Sequence, residues 1–92
     1  MKKKTVEELV AERGKTHGDY ADHARCTQNL KRVIESELEH RNFRGQPSLS
    51  DMQLESLDMF CHKIGRIIAG DPNVHDHWDD IGGYAKITSE RI

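Results

Sequence analysis

A chain of 92 residues with 33% charged side chains and a formal net charge of -2 is short, hydrophilic and close to neutral. This balance excludes a strong general attraction to nucleic acid or anionic membranes, and no apolar run is long enough to span a bilayer. The length indicates one domain, residues 1–92, and the small apolar fraction favours self-association as a homodimer.

The N-terminus and the cysteines predict the compartment. Met1–Lys4 is basic, but no apolar run follows it, so we do not interpret it as a signal peptide. Cys26 and Cys61 lie at apolar-periodic positions and are too few for a disulfide framework, which indicates reduced core thiols. We therefore expect a cytosolic protein without a membrane partner.

Helical periodicity is present in the first half of the chain, and no segment shows strand-like alternation. Thr5 and Glu8 match a capping box before a short amphipathic helix, which we expect Gly14 to end. A loop is predicted at 15–20. The second helix is predicted at about 19–39, where apolar residues recur at three- and four-residue steps.

The third helix, at about 51–69, has the clearest pattern. Ser50 and Gln53 form a capping box, after a connector at 42–49 that contains glycine and proline. Gly70-Asp71-Pro72 ends the helix. One face is apolar: Leu54, Leu57, Phe60, Cys61, Ile64, Ile67 and Ile68.

The fourth helix is predicted to begin within 73–75 and to run to the C-terminus. Gly65, Gly82 and Gly83 lie inside the third and fourth helices, where glycine is unfavourable by roughly 1 kcal/mol. We therefore expect these two helices to cross with their backbones close together. The predicted fold is all-α, a small bundle of three longer helices with a short N-terminal one.

Acidic residues on the fourth helix suggest a metal site. Asp76, Asp80 and Tyr84 are four residues apart and share one side of the helix. With Glu55 from the third helix, the two aspartates could hold Mg²⁺ or Mn²⁺, which prefer oxygen ligands. Zinc is not expected, since His75 and His77 point about 200° apart. The alternative is that acids near the helix start only favour its dipole.

Basic residues could hold a phosphate group. Lys63 and Arg66 are three residues apart and can converge on one anion, unless they serve only to solvate the helix. Lys15 and His17 precede a predicted helix N-terminus, which attracts anions. No nucleophile motif, phosphate-binding loop or dedicated nucleic-acid surface is present.

Three motifs together resemble a family of small phage and prophage proteins, and similar blocks occur in the nucleotide-modification-associated domain of phage genomes. The motifs are Lys15-x-His17-Gly18-Asp19-Tyr20, Lys63-Ile64-x-Arg66-Ile67 and Asp76-x-x-Asp79-Asp80-Ile81-x-x-Tyr84-Ala85. A more remote similarity is to MazG-like all-α nucleotide pyrophosphohydrolases, which dimerise and bind Mg²⁺ through acids on two helices. Only the second acidic helix of that pattern has a counterpart here.

The resemblance implies a phage-encoded protein of the host cytosol that binds a nucleotide or another phosphorylated small molecule. Lys63 and Arg66 would hold phosphate, and residues of the first motif and Tyr84 would orient the ligand. If the protein is an enzyme, metal-activated water would hydrolyse a nucleoside phosphate. Two alternatives stay open: a non-catalytic inhibitor that binds a host protein, and a protein that sequesters a signalling nucleotide.

Overall fold

The computed structural model describes residues 3–92, which form four α-helices: α1 (Val6–His17), α2 (Tyr20–Phe43), α3 (Asp51–Ala69) and α4 (His75–Ser89). These residues contain no strand, so the all-α class is confirmed. The first two residues of the basic Met1–Lys4 segment lie outside the described residues. Within 3–92, no helix combines the length and the apolar character that crossing a membrane requires.

Two helix starts follow the predicted capping chemistry. The Ser50 hydroxyl accepts a hydrogen bond from the Gln53 N–H at 3.1 Å, and the Gln53 side chain accepts one from the Ser50 N–H at 2.9 Å. The Thr5 hydroxyl accepts a hydrogen bond from the Glu8 N–H at 3.1 Å. Each bond satisfies an N–H group that the first helical turn leaves without a partner.

The C-terminal ends of α1 and α2 differ from the sequence prediction. Gly14 does not end α1, which continues to His17, so the predicted loop at 15–20 was too long. Glycine in a helix interior is unfavourable by only about 1 kcal/mol, and the neighbouring turns outweigh it. The helix ends instead at Gly18, whose φ is +81°, a conformation that favours glycine. Asp19 precedes α2 but makes no side-chain capping bond, and α2 extends to Phe43.

Helices α2, α3 and α4 form one layer, which we call the helical layer, with α3 in the middle. Lys31 of α2 lies 4.0 Å from Asp58 of α3, and Thr27 of α2 lies against Gly65 of α3, so these helices are antiparallel. Ser56 of α3 contacts Thr88 of α4 at 2.6 Å and Lys63 contacts Asp80, so α3 and α4 are antiparallel too. Among residues 3–92, α2 and α4 do not contact each other. The helices therefore do not close around a common core.

The helical layer has an apolar face and a polar face. The apolar face is lined by two shallow grooves, one on each side of α3. Its apolar residues include Cys26, Leu30, Val33, Leu57, Phe60, Ile68 and Ala85, and the charged residues Asp22, Arg25 and Arg41 also line the grooves. None of these side chains is buried, and Val33 and Ile68 are 63% and 67% exposed. Cys61, predicted in the core with Cys26, is the one hydrophobic side chain of 3–92 that is fully buried, and both thiols are free.

The predicted close crossing of α3 and α4 at glycines was wrong. A Cβ on Gly82 or Gly83 would have no neighbour within 4 Å, so these glycines face open space. Gly65 instead packs against α2, where a Cβ would overlap the Thr27 hydroxyl and lie 2.9 Å from His23 Nδ1. The close helix approach is therefore between α3 and α2.

Helix α1 projects from the helical layer. Its residues up to Lys15 are all exposed, including Val6 and Val10. The long dimension of the protein is 54 Å. It exceeds the length of α2, the longest helix, which is about 36 Å at 1.5 Å per residue. Only the C-terminal end of α1 is held against the rest of the protein.

Candidate functional site

The polar face of the helical layer carries a group of positive and titratable side chains around α3, which we call the basic cluster. It consists of His17, His23, His62, Lys63 and Arg66. Three helices supply these residues: α1 supplies the first, α2 the second and α3 the last three. The sequence prediction included His17, Lys63 and Arg66, and the structure brings these three together.

A close contact between backbone segments at the end of α1, the end of α3 and the start of α4, which we call the junction, places His17 beside α3 and α4. The Thr16 carbonyl accepts a hydrogen bond from the Asp71 N–H at 3.0 Å and contacts His77 Nε2 at 3.0 Å. A Cβ on Gly18 would overlap the Ala69 carbonyl, and one on Gly70 would overlap the Thr16 carbonyl. The two glycines therefore allow the end of α1 to meet the end of α3.

The His17 ring has a defined orientation at this junction. It packs edge-on against His77, with ring centroids 5.2 Å apart. Its Nδ1 lies 3.0 Å from the Arg13 carbonyl, to which it can donate. In that tautomer Nε2 carries a lone pair, and it gains a proton only when the ring becomes charged. His77 itself is buried and belongs to the junction.

Lys63 and Asp80 form an ion pair between α3 and α4. The Lys63 residue is only 6% exposed, and its Nζ lies 2.8 Å from an Asp80 carboxylate oxygen. A buried ammonium group needs an opposite charge, because burial removes its hydration. The hydrogen bond from Lys63 holds the pKa of Asp80 below its usual value. The cation that Asp80 contacts is therefore a lysine of this chain.

Arg66 is the charged centre of the basic cluster. Its side chain makes no ion pair or hydrogen bond within residues 3–92. Partial burial, and next the positive charge of Arg66, lower the pKa values of His17 and His23. Burial and the charges of Lys31 and Arg66 lower the pKa of His62. All three imidazoles therefore favour the neutral form at pH 7. Arg66 forms no ion pair with an acid of residues 3–92, although its positive charge also helps to lower the pKa of Asp80.

Close packing of α2 on α3 positions His23. Thr27, one turn further along α2, is 1% exposed and lies against Gly65. His23 Nδ1 and the Thr27 hydroxyl are buried, and neither has a hydrogen-bond partner in residues 3–92. The His23 and His62 rings are 6.1 Å apart, on facing helices. The glycine at position 65 therefore brings the two histidines together.

Sequence reasoning missed the contributions of His23 and His62. His62 lies four residues before Arg66, a spacing that places both on one helix face and could have indicated their proximity. No comparable local pattern marks His23, because its neighbours come from α3 through the contact at Gly65.

The predicted ligand-orienting residues lie around the basic cluster. Tyr20 is 82% exposed, with its ring 6.4 Å from the His23 ring. Lys15 and Asp19 are exposed on either side of the Gly18 turn. Tyr84 is half-buried, one helical turn after Asp80. None of these four side chains makes an ion pair within residues 3–92.

The structure does not gather the residues that were predicted to bind a metal. Glu55 is exposed and lies eight residues before Lys63, about 12 Å away along α3. Asp76 is exposed one turn before Asp80, and its side chain forms no ion pair or hydrogen bond in 3–92. Within that range, no three His, Cys, Asp or Glu side chains form a group that could hold a metal ion.

Comparisons with models of protein families, with curated proteins and with solved structures gave no match for this chain.

Proposed function

We propose that the basic cluster binds the phosphate group of a nucleotide or a similar phosphorylated small molecule. The observation that carries the proposal is Arg66, a charged guanidinium among three histidines with no acidic partner in the described residues. A guanidinium offers five N–H donors in a planar fork that matches two phosphate oxygens. An anion at this position would supply the missing countercharge.

The three histidines would respond to such an anion. Each has its pKa lowered by burial and by neighbouring positive charge, so it is neutral at pH 7 when no anion is present. A bound phosphate reverses the electrostatic part of this effect and raises the three pKa values. The site then gains up to three further positive charges as the pH falls. The affinity for the anion is therefore expected to rise as the pH falls from 7.5 to 5.5.

Tyr20 favours a nucleotide over inorganic phosphate. Its exposed ring stands beside His23 at the edge of the basic cluster. An exposed aromatic ring can stack on a nucleobase, an interaction of about 1–3 kcal/mol per base. A ligand with its phosphate on Arg66 and its base on Tyr20 would use both ends of the site.

The Lys63–Asp80 ion pair favours binding without metal-dependent hydrolysis. The Asp80 carboxylate, which a metal-dependent reaction would need as a ligand, already contacts Lys63 at 2.8 Å. Displacing it would leave a buried lysine without a countercharge. We therefore propose a nucleotide-binding protein that keeps its ligand intact. This function corresponds to the alternative in which the protein sequesters a signalling nucleotide without cleaving it.

Isothermal titration calorimetry with inorganic phosphate, nucleoside monophosphates, ATP and cyclic dinucleotides, each with and without Mg²⁺, tests the proposal. Arg66→Gln should weaken binding at least ten-fold, and Arg44→Gln, an exposed arginine outside the cluster, should not. Tyr20→Ala should weaken nucleotide binding but leave phosphate binding unchanged. Equal binding by the two arginine variants, or no binding by any ligand, would contradict the proposal.

A second measurement locates the anion. Proton NMR titrations of the histidine ring signals should show the pKa values of His17, His23 and His62 rising when the ligand binds. His40 and His75 are exposed and lie outside the cluster, so addition of the ligand should leave their ring signals unchanged. Chromatography of the released ligand should recover it unhydrolysed.

A further inference from the structure

The apolar face of the helical layer lacks a second layer. Protein domains usually bury apolar faces between two packed layers of secondary structure. Here α2 and α4 flank α3 without meeting, so this face has no helix of residues 3–92 over it. Its two grooves run along α3: Leu30, Val33 and Ile68 line one, and Leu57 and Phe60 line the other.

The solvent-accessible area of the chain is too large for a compact monomer. The protein exposes 7184 Å². A compact monomer of this mass would expose about 5,500 Å², so the excess is about 1,700 Å² per chain. The projecting helix α1 contributes part of this excess. Two chains that covered the rest would bury up to about 3,400 Å², a range that reaches the roughly 2,000–5,000 Å² typical of obligate homodimers. The area therefore suits a second copy of the same chain.

We propose that two copies of this chain pack their helical layers face to face, with the apolar face of each covering that of the other. The ridge of apolar side chains on α3 would enter a groove of the partner copy, as in ordinary helix packing. A two-fold axis would make both grooves equivalent. The result is a two-layer protein whose apolar core lies between the copies.

The charge distribution supports this arrangement. Arg66 and the Lys63–Asp80 pair lie on the opposite, polar face, so packing the apolar faces together would bury none of them. A dimer of this kind would carry two basic clusters on its outer surfaces. The proposal thus goes beyond the anion site and does not depend on it.

Sedimentation equilibrium of the full chain, from about 1 to 100 μM, tests the dimer. The wild-type protein should show twice the chain mass. Ile68→Glu should raise the dimer dissociation constant by about a hundred-fold or more, because the symmetric interface would hold the unpaired charge twice. Ile87→Glu is a matched control: Ile87 is also exposed, at 47%, but lines neither groove.

Circular dichroism separates loss of association from loss of fold. Ile68 is already 67% exposed in the single chain, so its replacement should leave the helical signal intact. Val33→Glu, on the facing helix of the same groove, provides a second variant with the same expected result. A wild-type monomer at 100 μM, or dimers that persist in both groove variants, would overturn the proposal.

Discussion

The close packing of α3 on α2 at Gly65 can be tested by a single substitution. In Gly65→Ala, the new methyl group would overlap the Thr27 hydroxyl and approach His23 Nδ1 to 2.9 Å. Overpacking of this kind destabilises a protein by about 1–3 kcal/mol. The substitution also improves helix propensity by about 1 kcal/mol. The measured effect is the difference between these two contributions, so it needs a control that isolates the second.

Gly82→Ala provides that control. Gly82 also lies inside a helix, but a Cβ there would have no neighbour within 4 Å. Its replacement should raise the free energy of unfolding by about 1 kcal/mol through helix propensity alone. The Gly65 variant should therefore be less stable than the Gly82 variant by about 1–3 kcal/mol. In a domain of this size, this is a difference in Tm of at least about 4 °C.

Urea unfolding followed by circular dichroism, at one protein concentration for all variants, measures this difference. The double variant Gly65→Ala, Thr27→Ala removes the hydroxyl that the new methyl group would overlap. It should recover part of the loss, with a coupling free energy above about 0.5 kcal/mol. If Gly65→Ala and Gly82→Ala stabilised the protein equally, the close approach of α3 to α2 would be refuted.

Three further perturbations should have measurable effects on stability. Gly18→Ala should destabilise the protein more than Gly45→Ala in thermal unfolding: both glycines have positive φ, with a penalty of about 1–2 kcal/mol, but only Gly18 would also overlap backbone atoms. Asp80→Asn should lower the urea midpoint more than Asp79→Asn, because only Asp80 neutralises buried Lys63; equal midpoints would contradict the role of the ion pair. The free energy of unfolding should fall as the pH is lowered from 7.5 to 5.5 without ligand. The three cluster histidines have pKa values in the folded protein below their ordinary value, so the unfolded chain binds more protons in this window; a flat profile in urea titrations would argue against their lowered pKa values.

The sequence predicted the helices well where specific side chains cap a helix end. The capping box at Ser50 and Gln53 fixed the start of α3, and the all-α class followed from the periodicity. Gly14 was misleading, because glycine was interpreted as a stop although the structure ends α1 only at Gly18. The difference lies in φ: a glycine ends a helix where the chain must adopt a positive φ, and the sequence does not record that requirement.

The candidate site was predictable only in part, because long-range contacts assemble it. Lys63 and Arg66 are near each other in sequence, so their proximity could be predicted. The approach of His23 depends on Gly65, which was assigned to the wrong helix pair. Asp80 was predicted as a metal ligand, and its carboxylate instead pairs with the buried Lys63 of α3.

The junction at the Thr16 carbonyl, where α1 meets α3 and α4, indicates the order in which the helices pack during folding. Its bond to His77 spans 61 residues, whereas α2, α3 and α4 meet as neighbours in sequence. Contacts between distant residues form late in folding, since closing long loops has a high entropic cost. Helix α1 should thus dock after the hairpins have formed and should be the first to detach. In native-state hydrogen exchange, the amides of α1 should exchange faster than those of α3.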